Sequence, residues 1–167
     1  GTGAQALGLE AKATGNFSTA SGIRANANAN YSQALGFEAK ASGNYSQALG
    51  FQANASGTNA IAIGSNAKAV GTTENSIAIG ANASTGYVGA ISIGANAETT
   101  FGNGIAIGSN AKAKGAGTDA IAIGNQASAD DRALAIGGKA NANGYGAQAS
   151  GYDANAQGKG ALASGYY

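Results

Sequence analysis

The sequence predicts an all-β fold, a parallel β-solenoid of about twelve stacked rungs with roughly 14 residues in each rung. Three observations support this prediction. A glycine recurs at a nearly constant interval, small residues recur at fixed places between the glycines, and residue type alternates with a period of two around them. Alternation with a period of two is typical of strands, and self-similarity at a fixed interval is typical of stacked repeats.

The recurring glycine closes an Ala-x-Gly or Ser-x-Gly triplet and marks each repeat. It stands at Gly8, Gly22, Gly36, Gly50, Gly64, Gly80, Gly94, Gly108, Gly124, Gly137, Gly151 and Gly165. Eight of the steps between these glycines are 14 residues long, two are 16 and one is 13. Low-complexity disordered segments do not keep such a register. We therefore expect folded rungs, with insertions at 71–73 and 115–117 and a deletion near Asp130, all in turns.

Four positions of each repeat accept only small side chains. Ala or Ser stands two residues before the glycine, and Ala, Ser or Gly four residues before it. Ala stands three residues after it, and Ala or Thr five residues after it. These positions have the parity of one side of a strand. Each rung is therefore predicted to hold two strands of about five residues, joined by tight turns around a core of little more than methyl groups.

The opposite side of the first strand is apolar in the middle of the chain, where Ile-x-Ile occurs in five successive repeats. Such a row is too large to leave in water, and an alanine core buries little area in a single chain. Identical chains that pack these faces around a symmetry axis solve both problems, and two-fold and three-fold axes both satisfy the pattern. The predicted interface residues are Ile61, Ile63, Ile77, Ile79, Ile91, Ile93, Ile105, Ile107, Ile121 and Ile123.

The residue that follows the marker glycine varies with the first strand. It is large where the strand carries Gln and Leu, as at Phe37 and Phe51, and small where the strand carries two Ile, as at Ser65 and Ala81. Large residues replacing small ones indicate that these positions line one space. The sequence leaves open whether that space lies within one chain or between chains.

Equal positions of successive rungs stack about 4.8 Å apart, so their side chains form columns. Glu10, Arg24 and Glu38 alternate in charge along one column, and Glu98 is expected beneath Lys112 in another. Two aromatic columns are predicted, either as stacks that rigidify these rungs or as a ledge for a ligand. Their members are Phe17, Tyr31 and Tyr45 in one, and Phe37 and Phe51 in the other.

Segments 75–80 (Asn-Ser-Ile-Ala-Ile-Gly) and 59–71 (Asn-Ala-Ile-Ala-Ile-Gly-Ser-Asn-Ala-Lys-Ala-Val-Gly) resemble the head repeats of trimeric autotransporter adhesins of the YadA type. The resemblance covers essentially the whole chain and is strongest from 59 to 137. It implies a left-handed parallel β-roll in a homotrimer, displayed on the bacterial cell surface. It also implies that residues 1–167 are a single head domain, a fragment of a longer surface protein. The neck, the coiled-coil stalk and the C-terminal anchor in the outer membrane would lie outside this fragment.

Composition argues against several other functions. A net charge of +1 with 10% charged residues predicts neither nucleic-acid binding nor direct membrane contact. The absence of His and Cys removes most catalytic arrangements, so we expect no enzyme, cofactor or metal site. It also argues against the trimeric left-handed β-helix acyltransferases, which use a catalytic histidine. Asp130 and Asp131 are expected to form a turn. The sequence also lacks a ladder of Thr at one repeat position, which is typical of ice-binding proteins.

The resemblance implies an adhesin head that binds a host extracellular-matrix protein or a host cell-surface receptor, with a role in cell adhesion and virulence. The alternative is a structural spacer that projects another binding domain. Loops predicted at 72–74, 85–88 and 116–119 favour a binding role, because they break an otherwise uniform wall. The sequence assigns no ligand-binding residue.

Overall fold

The computed structural model describes residues 1–70, 74–115 and 119–166. In it each of the first eleven repeats forms one rung of two short strands, and the twelfth contributes a first strand. The first strands of the rungs form a twelve-stranded parallel sheet, and the second strands form an eleven-stranded parallel sheet. The prediction of a parallel β-solenoid with a 14-residue repeat is confirmed. The described residues contain no helix that is long and apolar enough to cross a membrane.

The strands of the first sheet are β1 Gln5–Leu7, β3 Thr19–Ser21, β5 Gln33–Leu35, β7 Gln47–Leu49, β9 Ile61–Ile63, β11 Ile77–Ile79, β13 Ile91–Ile93, β15 Ile105–Ile107, β17 Ile121–Ile123, β19 Leu134–Ile136, β21 Gln148–Ser150 and β23 Leu162–Ser164. The strands of the second sheet are β2 Lys12–Ala13, β4 Asn26–Ala27, β6 Lys40–Ala41, β8 Asn54–Ala55, β10 Lys68–Ala69, β12 Ser84–Thr85, β14 Glu98–Thr99, β16 Lys112–Ala113, β18 Ser128–Ala129, β20 Asn141–Ala142 and β22 Asn155–Ala156.

The strands are shorter than the predicted five residues because turns take up more of each rung. In the turn after β9, the Ala67 amide donates to the Gly64 carbonyl at 3.3 Å. The third turn residue, Asn66, has a φ of 56°. A positive φ at this place is typical of a type II turn and ends the extended backbone. Asn tolerates this conformation well, but Glu10 and Phe17 adopt it at equivalent places, with φ of 58° and 53°.

The core lies between the two sheets and consists of stacked methyl groups. Ala62, Ala67 and Ala69 of one rung are all completely buried. Serines that replace alanine are buried too, and the hydroxyls of Ser18 and Ser32 donate to backbone carbonyls of their own turns at 2.7 and 2.6 Å. The predicted interior of small side chains is confirmed.

Insertions and the deletion leave the register of the first sheet intact. Ile61 pairs with Ile77 across a step of 16 residues, and Ile121 pairs with Leu134 across a step of 13. The second sheet is also continuous across both places. The strands on either side of these steps keep their pairing, and residues 71–73 and 116–118, where most of the predicted insertions fall, lie outside the described residues.

One part of the core is polar. Thr85, Ser92 and Thr99 are buried where other rungs carry alanine. The Ser92 hydroxyl lies 2.8 Å from both the Ser84 carbonyl and the Thr99 hydroxyl, which donates to the Ile91 carbonyl at 2.9 Å. A Cβ at Gly104 would lie 2.6 Å from the Thr99 methyl. Gly104 therefore leaves the space that the larger Thr99 fills.

This packing predicts strong coupling between residues 99 and 104. Gly104→Ala alone should destabilise the fold by about 1–3 kcal/mol, because the new methyl overpacks the core. Adding Thr99→Ala should recover most of that loss, because it restores the all-alanine arrangement of other rungs. Chemical denaturation of the wild type, the two single variants and the double variant measures the cycle, and additive effects would contradict this account.

A second prediction concerns the marker glycines. Gly94 has a φ of 131°, and a Cβ there would lie 2.5 Å from the Gly108 carbonyl oxygen of the next rung. Gly94→Ala should therefore cost about 2 kcal/mol or more and lower the melting temperature. The matched control is Gly146→Asn, where φ is 66° and no atom lies within 4 Å of a built Cβ. An equal fall in melting temperature for the two variants would be inconsistent with the clash.

Candidate interaction surfaces

The outer face of the first sheet carries the predicted row of isoleucines. All ten lie in β9, β11, β13, β15 and β17, which pair in sequence, so they form two continuous columns. In the single chain they are half-buried or exposed, and Ile63, Ile93, Ile107 and Ile123 are each 36% exposed. The structure thus places them together on the outside of the coil. Their role as an interface between copies stays a prediction.

A second apolar column lies at the turn that follows each first strand; we call it the first-turn column. Phe37 and Phe51 stack with ring centroids 5.3 Å apart and planes inclined by 7°. Leu9, Ile23, Phe37 and Phe51 are all exposed, so they do not line the alanine core. The space that the sequence predicted for these residues therefore lies outside the coil.

A third column lies at the turn that precedes each first strand; we call it the second-turn column. Phe17, Tyr31 and Tyr45 stack with centroids 5.4 and 5.0 Å apart and planes inclined by 14° and 1°. The predicted stack is confirmed, and about half of each side chain remains exposed. These rings therefore form a continuous apolar edge beside the first sheet.

Each of these three rings follows an asparagine whose side chain accepts a hydrogen bond from the backbone. The amides of Thr2, Asn16 and Asn30 donate to the side-chain oxygens of the asparagine one rung further on, at 2.9–3.1 Å. The acceptors are Asn16, Asn30 and Asn44. Each bond satisfies a turn amide that has no strand partner there. The asparagines before the rings thus have a structural role in stacking the turns.

The charged column behaves as predicted. The Arg24 guanidinium contacts Glu10 at 3.0 Å and Glu38 at 3.2 Å, and Gln52 donates to Glu38 at 2.8 Å. Hydrogen bonds from Gln52, which has the larger effect, and from Arg24 lower the pKa of Glu38. Hydrogen bonds to Glu10 and Glu38 raise the pKa of Arg24. These groups are exposed, so each contact adds little stability.

The second sheet presents a polar outer face. Its outward column carries Lys12, Lys40 and Lys68, separated by asparagines. Glu98 pairs with Lys112 in register as predicted. Its ion pair is with Lys114, two residues further along the same rung as Lys112, at 3.9 Å. Among the residues that the structure describes, no three His, Cys, Asp or Glu side chains group as they would around a metal ion.

Basic and aromatic side chains meet near the C-terminal end. Arg132 lies over the Tyr145 ring at 5.4 Å and donates to its hydroxyl, and Lys139 lies over Tyr152 at 5.5 Å. Asp131 and Arg132 occupy the predicted turn, which the Ala133 amide closes on the Asp130 carbonyl at 2.9 Å. Burial and the neighbouring Asp131 raise the pKa of Asp130.

The structure describes the three loops that were predicted to favour binding only in part. Residues 71–73 and 116–118 lie outside the described residues. Segment 85–88 is not an irregular loop, because Thr85 lies buried in β12 and the Ala90 amide closes a regular turn on the Tyr87 carbonyl at 3.4 Å. Tyr87 instead extends the aromatic pattern by stacking on Phe101 at 5.5 Å.

Comparisons with known proteins identify a matching family and a similar structure. The model of a family described as "YadA head domain repeat (2 copies)" matches residues 1–25, 13–39, 27–53, 41–67, 55–83, 88–111, 102–127, 116–132 and 131–147. The crystal structure of the collagen-binding domain of the Yersinia adhesin YadA is similar, with 29% sequence identity and a TM-score of 0.65. The match covers 74% of this chain and 68% of that one. No curated protein matches the sequence significantly.

The charged column predicts a pH effect at Glu38. Its pKa is lower in the folded state, so its contribution to stability is present at neutral pH and is lost as the pH falls through that pKa. Gln52→Asn keeps a residue that tolerates positive φ but shortens the donor, so it should raise the pKa of Glu38. An NMR titration of the Glu38 carboxyl measures this shift. Gln126→Asn, at the same turn position of a distant rung, is the control and should leave the Glu38 titration unchanged.

Proposed function

Because the chain belongs to the family of YadA head repeats, we propose that it is the head of a bacterial surface adhesin that binds an extracellular-matrix protein. The observation that carries this proposal is the likeness to the collagen-binding domain of YadA over 74% of this chain. Family and fold are those of an adhesin rather than an enzyme. Collagen is accordingly the first ligand to test, and attachment to host cells would follow from binding their matrix.

The functional unit in this proposal is a homotrimer in which the Ile columns of three copies face one axis. Three copies fit the dimensions of this face. The face of the first sheet with its flanking turn residues spans about 15–20 Å. Three such faces, arranged as the sides of a triangle, leave about 5 Å between each face and the axis. Isoleucine side chains fill a gap of that size, so the apolar columns would leave water together.

Binding is assigned to the surfaces that stay outside such a trimer, above all the polar face of the second sheet. Its side chains repeat at every rung and on all three copies, so many weak contacts add up. Residues 1–167 act in this proposal as one head domain of a longer surface protein, held in the outer membrane by a C-terminal anchor. A spacer remains the second candidate, because the two strand ladders continue unbroken through twelve and eleven strands.

The test measures the solution mass of the protein by light scattering and its binding to immobilised fibrillar collagen. We expect a trimer that binds collagen, with slow dissociation that depends on the trimer. Ile93→Asp with Ile107→Asp should give monomers and lose at least tenfold in apparent affinity. Ser84→Asp with Ser128→Asp places the same charges on the other sheet and should leave the trimer mass unchanged.

The possible results separate the two candidates. A wild-type trimer that does not bind collagen would favour the spacer. A monomeric wild-type protein would show that the Ile columns are not an interface between copies.

A further inference from the structure

The outer face of the second sheet carries lysines at regular intervals over the first five rungs. They are Lys12, Lys40 and Lys68, in β2, β6 and β10. Asn26 and Asn54 lie between them in register. The three lysine side chains are exposed, and the two asparagines are half-buried. We call these five residues the lysine column. Its cations recur at every second rung along a continuous strand ladder.

The described part of the chain leaves the charges of these lysines uncompensated. None of the three forms an ion pair within residues 1–70, 74–115 and 119–166. The carboxylates of the neighbouring column are already occupied, since Arg24 contacts Glu10 at 3.0 Å and Glu38 at 3.2 Å. Residues 1–70 hold four basic and two acidic side chains, whereas the remainder of the chain holds five basic and six acidic ones. The first five rungs therefore carry a positive charge that is open to a ligand.

The interval between the lysines indicates the shape of that ligand. Alternate rungs of a parallel ladder lie about 10 Å apart, so Lys12 and Lys68 are separated by about 19 Å. Two rungs have nearly the length of one disaccharide in an extended linear polysaccharide. A polysaccharide with a sulfate or carboxylate group on each disaccharide would place successive anions opposite successive lysines. Three disaccharides would occupy the whole column.

The polar groups beside the lysines suit the sugar rings between such anions. The amides of Asn26 and Asn54 lie between successive lysines and can donate hydrogen bonds to sugar hydroxyls. Two residues further along each rung, and so on the same side of the strand, Thr14, Asn28 and Ser56 expose further hydroxyl and amide groups. An extended sugar chain that follows the column would therefore meet hydrogen-bonding groups as well as cations.

We propose that the lysine column binds a linear anionic polysaccharide, which lies along the rod with one anionic group to every two rungs. This inference goes beyond the proposed function, because it requires neither collagen nor the trimer. Each exposed lysine contributes a weak contact in water, and repetition of that contact along the column provides the affinity. A trimer would carry three such columns.

Two other anionic partners fit this face less well. Duplex DNA carries one charge per about 1.7 Å of its axis, far more densely than the lysines recur. A membrane surface is charged in two dimensions. Both would bring phosphates against Glu10 and Glu38 in the neighbouring column, where like charges repel. A single glycan chain is narrow enough to follow one column of lysines.

The test measures binding of the full chain to an immobilised heparin hexasaccharide by biolayer interferometry. The variant Lys12→Gln with Lys40→Gln and Lys68→Gln removes the three cations and keeps side chains of similar polarity. It should weaken binding by about tenfold or more, since each lost lysine removes one charged contact. The slope of log Kd against log salt concentration should also fall by about 2–3.

Two control variants separate the column from net charge. Lys112→Gln with Lys114→Gln and Lys159→Gln removes the same charge from other rungs and should lower the affinity by about twofold at most. Lys40→Asn with Asn54→Lys keeps the net charge but moves one lysine by one rung. It should weaken hexasaccharide binding by about threefold or more, because the interval is broken. If that exchange lowers the melting temperature, the two lysine-to-glutamine variants still decide.

A hyaluronan hexasaccharide, which has carboxylates but no sulfates, identifies the kind of glycan. Binding to heparin alone assigns the column to sulfated chains, and binding to both assigns it to chains with one anion per disaccharide. No binding to either, or equal affinities of the two triple variants, would overturn the inference. Equally tight binding to duplex DNA or to phosphatidylserine vesicles would overturn it in favour of unspecific attraction. A protein that binds heparin but not collagen would leave this inference standing while the proposed function fails.

Discussion

Close stacking of each rung on the next is the constraint on which the rest of this molecule depends. At the marker glycine the backbone of one rung lies against the carbonyl of the next, and at Gly94 a Cβ would come within 2.5 Å of it. No side chain fits there, so the glycine recurs at each step and holds the rungs in register. Because register is kept, every position stacks on itself, and the surface becomes a set of columns. Charge alternation at Arg24 and ring stacking at Tyr31 are consequences of that arrangement.

The same constraint limits the core. Two sheets joined by tight turns enclose little more than methyl groups, and the buried residues are mostly alanine. Such a core buries a small apolar area in each rung, so much of the apolar material of the sequence lies outside it. Where Thr99 replaces alanine in the core, Gly104 beside it leaves room for the larger side chain. The isoleucines on the outer face supply the burial that the interior lacks only when another copy covers them.

Much of this follows from sequence. The glycine interval, the small-residue positions and the alternation around them fixed the rungs, the alanine core and the outward isoleucines, because all depend on periodicity. Turn geometry was less accessible. Glu10 and Phe17 adopt positive φ, which residue type alone does not indicate, and this shortens the strands. The stacking of Glu98 on Lys112 follows from the register, but the ion pair between Glu98 and Lys114 depends on side-chain reach, which the repeat pattern does not indicate. The 85–88 segment is not the loop that the sequence predicts, because Thr85 occupies the buried strand position that alanine takes in most other rungs.

In a rod of equal rungs, specificity can only come from differences between rungs. Large apolar residues flank the second to fourth rungs at both turns, and the centre of the first-sheet face carries two isoleucines per strand from the fifth rung to the ninth. These differences lie on the outer surface, while the core beneath them remains nearly all alanine. The constant core therefore keeps the register, and the outer positions are free to differ from one level of the rod to the next.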